Sequence, residues 1–358
     1  MPQIQYFLGA NSPSGFYSLY PGLLDEATAE GLYILKGGPG CGKSSFLRRI
    51  VRYAEAAGEE AVLIPCSADP DSLDAVLLPR RRIALVDGTA PHVVEPSYPG
   101  VIGHYVNLGA CYDRDALQAC RGEILAAFSE YKGHYKRVYR CLEAASQLHR
   151  DNREPLLSPA LLQKMRKRAE GIIHREIRKN GSQPGTVTYR FLSAVTHRGR
   201  IFLGDSVTAQ AKRVYELADR YGLAHELLAP ILEAARTAGW DVTACPDPMA
   251  PERLAHLVIP GLSLAFVSAA EEGTLDGRPY RRIRLDAMTD RDTYQTCRPR
   301  LRFSRKVAAA LEEEAVQGLG RAKAAHDRLE ALYNPHVDFH EVYRMADDLA
   351  ARLFPSQK

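Results

Sequence analysis

The chain has 358 residues, too many for one typical hydrophobic core, so two domains or one large α/β unit are expected. Hydrophobic residues make up 46% and charged residues 25%, the balance of a soluble globular protein, and no run approaches the ~18 apolar residues of a membrane span. A formal net charge of +4 is too small to imply nucleic acid by itself, and the start Met1-Pro2-Gln3-Ile4-Gln5 lacks the layout of a secretory signal, so a cytoplasmic protein is expected. The seven cysteines form no Cys-x-x-Cys pair and read as reduced, mostly buried small residues.

In chain order, residues 6–12 read as a short strand running into a Ser-Pro-Ser-Gly turn at 12–15. The apolar run Leu32-Tyr33-Ile34-Leu35 predicts a strand, and Phe46, Leu47, Ile50, Val51 and Ala54 predict one face of a helix that stops at Gly58. Between them stands Gly37-Gly38-Pro39-Gly40-Cys41-Gly42-Lys43-Ser44, which fits the phosphate-binding pattern G-x-x-x-x-G-K-[ST] at every fixed position. The alternative is a glycine-rich turn ahead of a core helix. Strand, loop and helix in this order let backbone N–H groups turn inward around phosphates, with the positive end of the helix dipole behind them. Gly37, Gly38, Gly40, Cys41, Gly42, Lys43, Ser44 and Ser45 are therefore the expected nucleotide contacts. Lys43 would reach the β- and γ-phosphates, and Ser44 would hold Mg²⁺.

A second buried strand is expected over 61–64, ended by Pro65, and a short helix or turn from Pro70 to Asp74. The run Ile83-Ala84-Leu85-Val86-Asp87 is an apolar strand ending in an acid, where a carboxylate can complete the Mg²⁺ shell beside Ser44. Asp69, Asp71, His92 and Glu95 are the candidates by position for orienting an attacking water. From 113 to about 150 the spacing of apolar residues predicts a long helix, whose Phe128, Tyr131 and Tyr135 read as packing against another helix. The stretch 164–179 is rich in Lys and Arg, including Lys164, Arg166, Lys167 and Arg168, and reads as a basic linker helix. Helices are again expected over 308–332 and, past Pro335, around Val342, Met345, Leu349 and Phe354.

The second half repeats the first. Phe7-Leu8-x-Ala10 recurs as Phe191-Leu192-x-Ala194, and Pro70-x-x-Leu73 with Ile83-Ala84-Leu85-Val86-Asp87 recurs as Pro251-x-x-Leu254 with Leu264-Ala265-Phe266-Val267-Ser268. Asp113-Arg114-Asp115 recurs as Asp290-Arg291-Asp292. Aligning Tyr33 with Tyr215 sets His225 opposite Lys43, Glu226 opposite Ser44 and Ser268 opposite Asp87, so the second copy is expected to have lost its phosphate site. The expected fold is α/β: P-loop NTPase-like three-layer αβα units in two tandem repeats, each with a helical appendage. The expected divisions are an active module at 1–155, a basic linker at 156–186 and a degenerate module at 187–358.

The 37–44 loop, Asp87-Gly88-Thr89-Ala90-Pro91-His92, Tyr98-Pro99-Gly100 and Asn107-Leu108-Gly109 resemble an uncharacterised bacterial family of tandem P-loop ATPases over nearly the whole chain. Members often carry a phosphate loop in both halves, and this sequence departs by losing the second. The resemblance implies nucleotide binding and the repeat, and no pathway. The leading expectation is a Mg²⁺-dependent ATPase with one ATP site, using Lys43 and Asp87 as catalytic residues and Ser44 and Asp87 as metal ligands. A small-molecule kinase is one alternative. A nucleotide-sensing adaptor that engages a protein or nucleic acid through the basic linker is the other. No Asn-Lys-x-Asp element points to guanine, so ATP is the expected nucleotide.

Overall fold

In the computed structural model, which describes residues 3–269, 275 and 278–355, the chain is mixed α/β, its described strands forming two large sheets and two hairpins. It opens on a hairpin of β1 (Gly9–Ser12) and β2 (Gly15–Ser18), turned where the Ser-Pro-Ser-Gly stretch predicts. Then come β3 (Gly31–Lys36), α1 (Lys43–Ala56), β4 (Val62–Pro65), β5 (Leu73–Leu78), β6 (Ile83–Asp87) and β7 (Gly103–Asn107). The first sheet runs β4-β5-β6-β3-β7, with β3 parallel to β6 and β7 and β5 antiparallel to both its neighbours. The 70–74 stretch does not start a helix, because it leads into β5. Asp74 interrupts the apolar run there, yet all but one residue of that strand is buried.

The chain continues through α2 (Arg114–Ala119), α3 (Arg121–Arg153) and α4 (Pro159–Glu176). The second half holds β8 (Val187–Tyr189), the hairpin of β9 (Ser193–Thr196) and β10 (Gly199–Phe202), α5 (Gly204–Gln210), β11 (Arg213–Ala218) and α6 (Ala224–Thr237). It is completed by β12 (Val242–Asp247), β13 (Ala250–Ile259), β14 (Leu264–Ala269), β15 (Arg281–Arg284), α7 (Arg291–Tyr333) and α8 (Phe339–Leu353). The second sheet runs β15-β11-β14-β13-β12-β8. In each sheet the strand that feeds a helix, β3 or β11, lies between β6 or β14 on one side and β7 or β15 on the other. α7 starts well ahead of 308 and carries Pro299 inside it.

Strand alternation sorts the cores. In β3, Leu35 faces α1 while Leu32 and Ile34 face the opposite way; in β14, Leu264 and Phe266 face α6 while Ala265 and Val267 turn inward. The inward sets of both sheets meet Tyr6, Leu8, Leu192 and Val207 in one shared core. Each sheet therefore has its long helices on one face only, unlike the expected αβα layering. The two N-terminal stretches of the halves touch directly: Phe7 and Phe191 each donate an N–H to the other's carbonyl at 2.9 Å, with Ala10 and Ala194 packed beside them.

The two long helices lie side by side. Val138, Leu142 and Ala145 of α3 pack against Ala308, Ala315 and Leu319 of α7, and a Cβ added at Gly318 would stand 2.7 Å from a Val138 methyl. Past the turns at Pro155 and Pro335 the helices cross over. α4 places Leu161, Met165, Ala169 and Ile172 on α6 and the second sheet. Most of the 156–186 stretch is thus the packed helix α4, on whose exposed face lie Lys164, Arg166, Lys167 and Arg168. α8 places Val342, Ala346, Leu349 and Leu353 on Phe46, Leu47 and Ile50 of α1, at the far end of the sequence. Arg49 and Tyr53 of α1 fasten it through the Asp347 carboxylate.

α8 is therefore part of the first half's core. Leu349→Ala is expected to cost about 2–5 kcal/mol of unfolding free energy, the range for a buried leucine. In hydrogen exchange the added opening should concentrate in α1 and β4–β5 and spare α6 and β12–β13. Uniform exchange, or denaturation unchanged from wild type, contradicts the crossover.

Candidate functional site

β3 ends at Lys36, and the chain turns through 37–42 into α1, whose first residue is Lys43. Two glycines of this loop sit in the left-handed region, Gly40 at φ +68° and Gly42 at φ +84°, which side chains with a Cβ rarely adopt. Gly40 is also roofed by the end of α7: an added Cβ would lie 2.5 Å from Asn334 Oδ1 and 3.0 Å from the Glu330 carbonyl oxygen. Cys41 is buried beneath the loop, and burial raises its thiol pKa. Ser45, one turn into the helix, lines a cavity of about 530 Å³ shared with Arg48, Arg49 and Tyr343.

The Lys43 ammonium folds back over the loop, donating to the carbonyl oxygens of Gly37 at 2.9 Å and Gly38 at 2.8 Å. It also lies 3.6 Å from Asp87 Oδ2, both side chains being largely buried. Asp87 reaches it because β6 pairs with β3 in a register that sets Asp87 opposite Leu35, just before the loop. The other oxygen of Asp87 accepts from the Thr89 N–H at 2.9 Å and the Thr89 hydroxyl at 2.6 Å, fixing the carboxylate. Ser44 Oγ accepts the Leu73 N–H at 2.9 Å, tying the helix start to β5. The adjacent Lys43 and Ser44 and the sequence-distant Asp87 thus lie together at the C-terminal ends of the neighbouring strands β3 and β6.

Beside them is a group that the sequence pattern did not single out. Asp74 follows Leu73 and is buried, with burial pushing its carboxyl pKa up. The Tyr20 hydroxyl donates to Asp74 Oδ2 at 3.0 Å, and the Tyr20 ring stacks on His92 with centroids 4.8 Å apart. His92 Nε2 is 3.9 Å from Asp74 Oδ1. A lone acid inside a buried apolar strand was the available signal for Asp74. The other rim candidates point elsewhere: Asp71 pairs with Arg198 at the surface, Glu95 with Lys36 at 2.6 Å, and Asp69 with Lys323 at 3.4 Å.

No protein-family model matches the chain, and no curated protein or solved structure does.

The matching corner of the second sheet is built differently. The loop between β11 and α6 is one residue shorter than its counterpart, so Ala224 stands where Lys43 does and His225 where Ser44 does, one step from the alignment expected above. The hydrogen bonds agree, since His225 Nδ1 accepts the Leu254 N–H at 3.1 Å as Ser44 accepts that of Leu73. At the loop's start Asp219 buries its carboxylate among the N–H groups of Tyr221, Leu223 and Ala224, at 3.3, 2.8 and 2.7 Å. The loop's inward donors are occupied by the protein's own anion. Arg253 caps the same corner, donating to the Gly222 carbonyl at 3.1 Å and to Glu226 at 3.0 Å.

Asp219→Ala leaves these buried N–H groups without their acceptor. It is expected to lower the unfolding free energy by about 2–4 kcal/mol, and Asp219→Asn, which keeps one acceptor oxygen, by less. Urea denaturation checks the order; equal stability of all three proteins would show that the carboxylate is not the loop's keystone.

Proposed function

We propose that this chain is an ATP-binding protein and Mg²⁺-dependent ATPase with a single phosphate site, at 37–44. We propose further that its halves are two copies of one P-loop NTPase unit. The observation that carries the reading is the meeting of a glycine loop at a helix start, its lysine, its serine and the strand-end acid Asp87 at one sheet edge. The matching positions of β3 and β11 in their sheets, and the reciprocal Phe7–Phe191 pair, support the duplication. The likeness of the loop and of 87–92 to tandem P-loop ATPases supports the same reading.

Ser44 Oγ and the Asp87 carboxylate are hard oxygen donors on one edge, a set that suits Mg²⁺. Held there with the nucleotide, Mg²⁺ would neutralise charge on the phosphate oxygens. Lys43 exchanges the Gly37 and Gly38 carbonyls for phosphate oxygens, and the loop N–H groups with the α1 N-terminus take the remainder. Thr89 keeps the Asp87 carboxylate in place for this. Because Glu330 and Asn334 roof Gly40, filling the loop presses on the end of α7, and α8 follows it onto α1. Nucleotide state is thereby coupled to how the two halves are held together.

The second corner, with alanine for lysine, serine for the strand-end acid and Asp219 in the cradle, takes no nucleotide on this reading. One ATP per chain is the expected stoichiometry in equilibrium dialysis with Mg²⁺. Lys43→Ala should lose binding and drop phosphate release about 100-fold or more, Asp87→Asn should lose the Mg²⁺ dependence, and His225→Ala should match wild type. Phosphate release that is the same in Lys43→Ala as in wild type sinks the proposal.

A further inference from the structure

Beside Asp87 lie two buried groups that phosphate binding leaves unexplained, Asp74 and His92. One ligand atom from each of the three lies within 4.8 Å of the others, and they come from separate places: β5, the end of β6, and the segment after it. His92 is only 6% exposed, and neither of its ring nitrogens has a hydrogen-bond partner. Buried imidazole nitrogens are ordinarily bonded, and two unsatisfied ones on one ring are costly. A purely structural histidine, stacked on Tyr20, would be better replaced by an apolar ring. Imidazole nitrogens close to two carboxylates in a buried corner are what a metal ligand looks like before its ion arrives.

We propose that Asp74, Asp87 and His92 form a binding site for a borderline divalent transition ion of the Zn²⁺ class. Imidazole is a poor ligand for Mg²⁺, which prefers water and oxygen, whereas Zn²⁺ and its close relatives take nitrogen and carboxylate readily. Three protein ligands leave a position open, the arrangement of metal sites that also bind water or substrate. Ligand atoms around such an ion stand roughly 3.3 Å apart, given its bonds of about 2.0–2.1 Å. The 3.9 Å between His92 Nε2 and Asp74 Oδ1 needs only a small side-chain adjustment. Tyr20 supplies the outer support: its hydroxyl orients Asp74 and its ring fixes the plane of His92. The nearby Lys43 ammonium is the charge that opposes the ion, through its contact with Asp87 Oδ2. This site stands on its three side chains and does not depend on the nucleotide reading, although Asp87 is common to both.

The test uses full-length protein stripped with a chelator and kept free of nucleotide. Co²⁺ is titrated in as a spectroscopic probe, and Zn²⁺ uptake is counted by equilibrium dialysis. Wild type should take up a tight ion and develop the visible bands of nitrogen-ligated Co²⁺. His92→Phe keeps the stack on Tyr20 and Asp74→Asn keeps an acceptor for its hydroxyl; each should weaken binding at least about 10–100-fold, the range reached by losing an outer-shell partner alone. Lys43→Ala should bind the ion at least as tightly while losing ATP, which separates this proposal from the preceding one. No tight uptake by wild type overturns it. So does uptake that survives both His92→Phe and Asp74→Asn, which would assign the ion to the cysteines or to the more exposed His326, Asp327 and Glu330 group.

Discussion

Burying the outer face of each sheet requires a helix that its own half does not supply, and the crossover of α4 and α8 meets that requirement. α1 covers part of the first sheet, and α8 completes the cover with Val342, Ala346, Leu349 and Leu353. α6 and α4 divide the second sheet in the same way. The long helices α3 and α7 are the arms that carry these terminal helices across, and Ala308, Ala315 and Gly318 of α7 let it approach Val138 and Leu142 of α3 closely. Neither half completes its outer core from its own sequence alone, so the cover of each sheet depends on a helix carried in from elsewhere in the chain.

The same crossover sets the environment of the glycine loop. Lys43 and Asp87 at 3.6 Å attract with about 5 kcal/mol at an effective dielectric near 20, while taking two such ions out of water costs several kcal/mol each. The pair alone does not hold Lys43 there, and the carbonyls of Gly37 and Gly38 make up the difference. A cation held by two carbonyls and one offset carboxylate is already desolvated and only loosely committed. On the proposed reading this is a favourable starting point, because a phosphate replaces weak partners and little water has to be removed.

Much of this was legible in the sequence where one residue pattern served one purpose. The buried face of α1, Phe46, Leu47, Ile50, Val51 and Ala54, is the one its spacing predicts, and the 37–44 motif stands between a strand and a helix as its residues require. β5 was not legible, because Asp74 breaks an otherwise apolar run, and that acid is there for the cluster with His92 and Tyr20. The crossover was invisible for a different reason: the apolar stripes of α4 and α8 say that each packs on something, and spacing alone carries no address. Basic residues on the outer face of α4 then made a core helix read as a linker.

On the proposed reading, the second loop is an anion cradle that persists without its ligand. Three N–H groups converging at the start of α6 would be costly if left bare, since each buried donor without an acceptor loses about 1–3 kcal/mol. Once lysine is absent from such a loop, a carboxylate one turn away can fill the space, and burial then works against its charge while the N–H groups work for it. Burial prevails at Asp219, whose pKa is raised in spite of its three donors. The loop survives because its backbone geometry is stabilised from inside the chain. In the first loop Lys43 lies over the carbonyls of Gly37 and Gly38 instead. The two corners thus solve one electrostatic problem with opposite signs: an internal carboxylate satisfies donors in the second, and an internal ammonium satisfies carbonyls in the first.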